Sequence, residues 1–238
     1  MLRIACRSRS IDLGTQFASA NGKKNKIVRR FRRIVPDAFT GTLVFLRAND
    51  KFIAIIMFLK GITVFTVRPA TLQDLQAITH IHAVNWQTIY RGQLTQAYLE
   101  NDVFPERLSL WQQRIGQPAA NQHILVACDN DTVTGFICLY LDHHPQWGSI
   151  VDNLHVDSRY KGQGIGAMLL NHAASVIHQQ AHAASMYLEV LAANDAAQAF
   201  YQHMGGHNIH AQQWEAPEGS IVDEYVIHWP DAAHFLAA

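Results

Sequence analysis

The stretch VDSRYKGQGIGAMLLNHAA, residues 156–174, holds three glycines, Gly162, Gly164 and Gly166, within five positions and then takes on a helical apolar rhythm. Glycines that dense before a helix gather unpaired backbone amides around an anion, and the helix dipole adds positive potential at the same point. Two ligand classes use such a turn. Read literally, GQGIGA (162–167) satisfies the dinucleotide pattern G-x-G-x-x-G/A, with Glu189 on the next predicted strand as a ribose ligand. The context argues against it. In the dinucleotide fold the strand runs straight into the glycines, whereas here DSRYK (157–161) intervenes. No G-K-[ST] follows the glycines either, so the turn is not a nucleoside-triphosphate loop.

The order of elements around the turn sets the fold class. TVFTVRPA (63–70) predicts a strand stopped by Pro69, and Thr71 to Asp74 predicts a capping-box start. Leu72, Leu75, Ile78, Ile81 and Trp86 continue as a helix toward Tyr90. Shorter helical pieces follow, the last opening with Pro105 and carrying Leu108, Trp111 and Ile115. HILVAC (123–128), VTGFICLYL (133–141) and SIVDNLHV (149–156) predict three strands, with DND as the first turn. After the glycine helix come a strand, MYLEVL (186–191), and a capped helix, NDAAQAFYQHMGG (194–206). HNIHAQQWE and IVDEYVIHW close the chain as two more strands. The order β-α-α-β-β-β-α-β-α-β-β predicts an α+β domain over residues 63–238, without internal repeats.

The turn Lys161-Gly162-Gln163-Gly164-Ile165-Gly166 resembles the acyl-CoA pyrophosphate loop of the GNAT superfamily of N-acyltransferases, (Arg/Gln)-x-x-G-x-(Gly/Ala). Lysine at the first position keeps the cation and loses a planar donor. NLHV (153–156) looks like the strand whose backbone pairs with the pantetheine arm, which implies Leu154, His155 and Val156 as cofactor-binding positions. Asn194, Ala197, Phe200, Tyr201 and Gly205 are in register with the family's N-x-x-A-x-x-F-Y-x-x-x-G helix. The family places Phe after that glycine; this chain has Gly206 and His207. NWQTIYRGQLTQAYL (85–99) looks like the first-helix region of an uncharacterised bacterial-type branch, and the match runs from about Val64 to Trp229.

The resemblance implies a mixed, mostly antiparallel sheet flanked by helices and acetyl transfer from acetyl-CoA, as cosubstrate, to a primary amine by direct transfer. An ammonium of reference pKa about 10.4 must lose a proton before it attacks, and a thiol of about 8.5 must be stabilised as it leaves. By motif position Tyr201 is the expected acid to the CoA sulfur, and Asn194 both caps its helix and faces the pantetheine amides. Asp152, acting through a water, is the expected base. By strict alternation Asp152 and His155 fall on opposite faces of their strand. Trp86, Tyr90 and Tyr140 are the candidates for lining the acceptor pocket. A non-catalytic acyl-CoA-binding regulator on the same fold is the rival reading; the pairing of Asn194 with Tyr201 argues against it.

Composition narrows the rest. The net charge of zero conceals a split: residues 1–62 hold 13 of the 19 Lys+Arg and 3 of the 19 Asp+Glu, while all 14 histidines lie at or beyond His80. Residues 1–62 are expected to be a basic, poorly structured extension or the product of a mis-assigned start, with seven cations clustered in NGKKNKIVRRFRRIV (21–35). The first ten residues lack the apolar run of a secretory signal, and the eight apolar residues of FIAIIMFL (52–59) are too few to span a bilayer. Cys6, Cys128 and Cys138 are few and lack ligand spacing, as in a reduced, cytoplasmic protein. His203, His207 and His210 straddle a predicted helix end, so no metal is expected. The expected partner is a small-molecule or protein amine, with neither membrane nor nucleic acid, and a homodimer is the assembly to look for.

Overall fold

The computed structural model describes residues 64–237, together with the backbone of two strands, β1 (Leu43–Ala48) and β2 (Lys51–Ile56). These strands pair antiparallel, from Leu43 with Ile56 to Ala48 with Lys51. They form a hairpin inside the segment expected to be an extension. The basic cluster 21–35 lies outside the described residues. The chain divides into two compact units at Thr63/Val64, and the second carries everything that follows.

That unit runs β3 (Phe65–Pro69), α1 (Leu75–Ile89), α2 (Gln96–Asn101), α3 (Val103–Gly116), β4 (Gln122–Asp129), β5 (Thr132–His144), β6 (Gly148–Val156), α4 (Ile165–Gln180), β7 (Met186–Leu191), α5 (Asp195–His203), β8 (His207–Glu215) and β9 (Ile221–Trp229). Its seven strands form one sheet in the order β3-β4-β5-β6-β7-β9-β8. Every neighbouring pair is antiparallel except β6 and β7, which α4 connects in parallel. This is the α+β architecture that the order of elements implied.

Alternation along the strands sends apolar side chains to both faces, so the sheet is covered on both sides. On one face Ile78, Ile81 and Trp111 of α1 and α3 pack against Phe136 and Cys138 of β5. On the other, Leu169, Leu170, Ala173 and Ile177 of α4 pack against Ile137, Leu139, Val151, Leu188 and Ile227. Full burial of each such side chain stabilises by about 1.5–3 kcal/mol. A 3-10 turn at Ala232–Ala237, absent from the expected order, seats Phe235 against Trp229.

Two irregularities shape the site. β6 and β7 pair only at Ser149–Met186 and Ile150–Tyr187, then separate. From Val151 onward β6 has a strand partner on the β5 side alone, so a wedge opens between the two parallel strands. β6 also bulges: Asn153 pairs with Cys138 and Val151 with Leu139, leaving Asp152 as the extra residue.

Candidate active site

The glycine turn stands at the open end of the wedge. A 3-10 turn, Ser158–Tyr160, separates it from β6, and Asp157 caps that turn by accepting from the Arg159 amide at 2.9 Å. Gly162 and Gly164 have φ of +77° and +81°, and a Cβ at either would meet nothing within 4 Å. These two positions therefore need glycine for conformation, and the space above them is open to a ligand. Gly164 caps α4, whose first amides lack intrahelical partners. Gly166 serves differently: its Cβ would stand 3.2 Å from Cζ of Phe200, so it lets α4 and α5 approach closely. Ile165 points into the core, 2% exposed, and offers the loop its backbone alone, while Lys161 and Gln163 are exposed beside it. An open cradle of amides with a lysine at its rim fits a pyrophosphate, and the unpaired edge of β6 fits an extended amide-bearing arm.

Across the wedge, Asn194 caps α5, its Oδ1 accepting from the Ala197 amide at 3.2 Å. Tyr201 projects from α5 into the core beside Trp229, at 6.1 Å between rings and 9% exposed. Burial pushes its phenol up to about 12. Among the described residues no group accepts its hydroxyl proton, and the oxygen is not sealed from solvent. Gly206 answers the departure from the family's helix ending: a Cβ there would lie 2.7 Å from the Trp229 ring, so this tryptophan occupies the space beside it.

On the opposite face the side chains of β6 meet α1 and α3. The bulge places Asp152 and His155 on the same face, which corrects the strict alternation expected for this strand. Asp152 pairs with Arg114 Nη1 at 2.5 Å, and the same nitrogen donates to Asn153 Oδ1 at 3.0 Å. The His155 ring packs 4.6 Å from that of His82 and 5.4 Å from Phe136. Burial, with the nearby charges of Lys161 and Arg107, holds its imidazole down to about 3. Asn85 Nδ2 donates to the Val156 carbonyl at 3.1 Å, tying α1 to the end of β6. Leu154 and Val156 turn toward the core on the α4 side.

Trp86 and Tyr90 come together, 4.7 Å between ring centroids, and Trp214 of β8 joins them at 5.9 and 6.0 Å. Arg107 stacks 4.2 Å over the Trp86 ring. Tyr140 belongs to a separate group with Ile150, Tyr187 and Trp147. Between the two groups lies a residue the sequence did not single out, Glu224 of β9. It is 7% exposed and pairs with Leu191 of β7 and Gln212 of β8. Burial and the neighbouring Glu189 raise its carboxyl to about 7, against a smaller opposing effect of the Gln212 hydrogen bond. The Tyr90 phenol is pushed up chiefly by burial and then by Glu224, and it also senses Arg107 and Tyr201. An acidic residue in the alternating run IVDEYVIHW was the only available signal for Glu224, and a solvated glutamate gives the same pattern.

The sequence matches the acetyltransferase (GNAT) family over residues 75–206, more than half of the chain. The chain belongs to the GNAT acetyltransferase family. Enzymes of this family are N-acetyltransferases, and the seven-stranded mixed sheet is the GNAT fold. Among solved structures, the GCN5-related N-acetyltransferase of Rhodopseudomonas palustris is 14% identical, with a TM-score of 0.56 over 69% of this chain and 94% of its own. The PaiA N-acetyltransferase of Thermoplasma acidophilum, solved with coenzyme A, is 18% identical, with a TM-score of 0.52 over 68% and 98%. YncA of Salmonella typhimurium, solved with its cofactor acetyl-CoA, is 19% identical, with a TM-score of 0.51 over 70% and 94%. At these identities the likeness is one of GNAT fold. No curated protein matches the sequence. Among the described residues of this GNAT chain no helix is long and apolar enough to cross a membrane.

Proposed function

We propose that the GNAT unit transfers an acetyl group from acetyl-CoA directly to a primary amine of a small-molecule or protein acceptor. The observation that carries this is the wedge between β6 and β7 with the amide cradle of 162–166 at its open end. Bound there, acetyl-CoA would supply the activated thioester. Lys161 and the amides of Gly162 to Gly166 hold the pyrophosphate. Backbone groups of Leu154, His155 and Val156 pair with the pantetheine arm, aided by Asn194 and Ala197 on α5. Tyr201, a phenol protonated at neutral pH and pushed further up by burial, donates to the leaving sulfur. Trp86 and Tyr90, with Trp214, line the entry of the acceptor, and Tyr140 borders it from the other aromatic group. Asp152 Oδ2 is paired with Arg114, and this pairing supports a role in fixing the β6 bulge.

The test is amine-dependent release of CoA thiol by the full chain, with acetyl-CoA and a panel of phenethylamine, cadaverine and alaninamide. Turnover that needs both substrates supports the proposal. Acetyl-CoA binding without turnover of any primary amine, across an extended panel, would leave an acyl-CoA-binding regulator instead.

A further inference from the structure

With Asp152 committed to Arg114 and His155 packed against His82 and Phe136, the transfer still needs an acceptor for the amine's proton. The only described carboxylate less than a tenth exposed, besides Asp74, is that of Glu224. Asp74 is accounted for by two 2.8 Å bonds from Arg68 and one from the Thr71 amide, far along the chain at the start of α1. Glu224 has no such cation among the described residues. Burying a carboxylate without one costs stability, and the fold spends an inward position of β9 on it, between Val222 and Val226.

Its placement is specific. Glu224 adjoins Leu191, the last residue of β7, where the wedge is open. It lies on the sheet face that carries Trp86, Tyr90 and Trp214, since Val222 and Leu191 pack with those rings. The charged and titratable groups around it are Glu189 on β7 and Tyr90 on α1, with Arg107 and Tyr201 acting on the same tyrosine. Gln212, the β8 partner of Glu224, gives its amide to Glu189 Oε1 at 2.9 Å.

We propose that Glu224 is the proton acceptor of the acetyl transfer, taking a proton from the incoming ammonium; this rests on the acetyltransferase function proposed above. The ammonium N–H bond breaks and the proton passes to a carboxylate oxygen of Glu224, leaving a neutral amine. Its lone pair forms the C–N bond to the acetyl carbon, and the C–S electrons leave on sulfur. Sulfur takes the Tyr201 proton; the nitrogen's surplus proton, released to water, restores the phenol. Glu224 returns its own proton to solvent between turnovers. A raised carboxyl suits this work, because a base poised near neutrality takes a proton and releases it again.

The full chain, with Glu224→Gln, Glu224→Asp and Glu189→Gln, is assayed by thiol release from acetyl-CoA on the same three amines between pH 5.5 and 9, with acetyl-CoA binding followed by thermal shift. Glu224→Gln is expected to lower kcat about 100-fold or more. It should also remove the acid limb of the kcat/KM profile near pH 7 and leave the acetyl-CoA shift in place. Glu224→Asp should keep the limb at reduced rate, and it carries the test if the glutamine variant does not fold. Glu224→Gln within about threefold of wild type with the limb intact overturns the assignment while leaving the transfer standing. So does loss of the limb in Glu189→Gln alone. A wild type that acetylates no primary amine across the extended panel defeats the underlying function instead.

Discussion

Replacing Glu224 by glutamine has a consequence for stability that is independent of turnover. The folded carboxyl stands at about 7 against an ordinary 4.5. At ~1.36 kcal/mol per unit the difference has a ceiling of ~3 kcal/mol, and solvent screening of a group that is not fully enclosed reduces it to about 1–2 kcal/mol. Because the folded value is raised, the folded chain binds more protons than the unfolded chain between pH 4.5 and about 7. Wild-type stability therefore falls as pH rises through that window, and Glu224→Gln, which has no proton to lose, escapes the decline. The stability of the variant relative to wild type should climb by about 1–2 kcal/mol from pH 4.5 to 8. For a domain of this size that corresponds to roughly 3–6 °C in Tm. Urea unfolding of both proteins at half-unit pH steps measures it. A difference that stays flat across the window would show that the carboxylate is not buried as described.

Two further outcomes follow from the same geometry. Tyr201→Phe removes the hydroxyl proposed to protonate the sulfur without altering the packing against Trp229, so kcat should drop about 100-fold while acetyl-CoA affinity changes less than twofold; unchanged kcat in steady-state assays would remove Tyr201 from the proposed mechanism. Gly166→Val pushes side-chain carbon into Phe200, whose Cζ is already 3.2 Å from the Cβ position. The expected destabilisation of about 1–3 kcal/mol, read by urea unfolding, should be partly relieved by Phe200→Ala.

The sequence disclosed the parts of this site that are local in the chain. The glycines of 162–166 and the helix from Asn194 to Gly205 each fall within a dozen residues, so the glycine turn shows in its spacing and the helix in its resemblance to the family's pattern. What it concealed depends on register and strand order. The extra residue at Asp152 shows only when β6 is laid against β5, and it moves that side chain onto the face of His155. Glu224 and Glu189 are far apart in sequence and become neighbours because β9 inserts between β7 and β8. Trp214 meets Trp86 and Tyr90 only in the fold, more than 120 positions away in the chain. Gly206 reads as a lapse from the family's helix ending until Trp229, 23 positions later, is seen beside it.

The most direct test of the central claim is a thermal-shift titration of the full chain with acetyl-CoA, CoA and NADH in parallel. A ligand that binds only the folded state stabilises it by RT ln(1+[L]/Kd), about 2.7 kcal/mol at 100 times Kd. The wedge and amide cradle predict dose-dependent stabilisation by acetyl-CoA and CoA and none by NADH. Stabilisation by NADH alone, or by neither coenzyme, would contradict them.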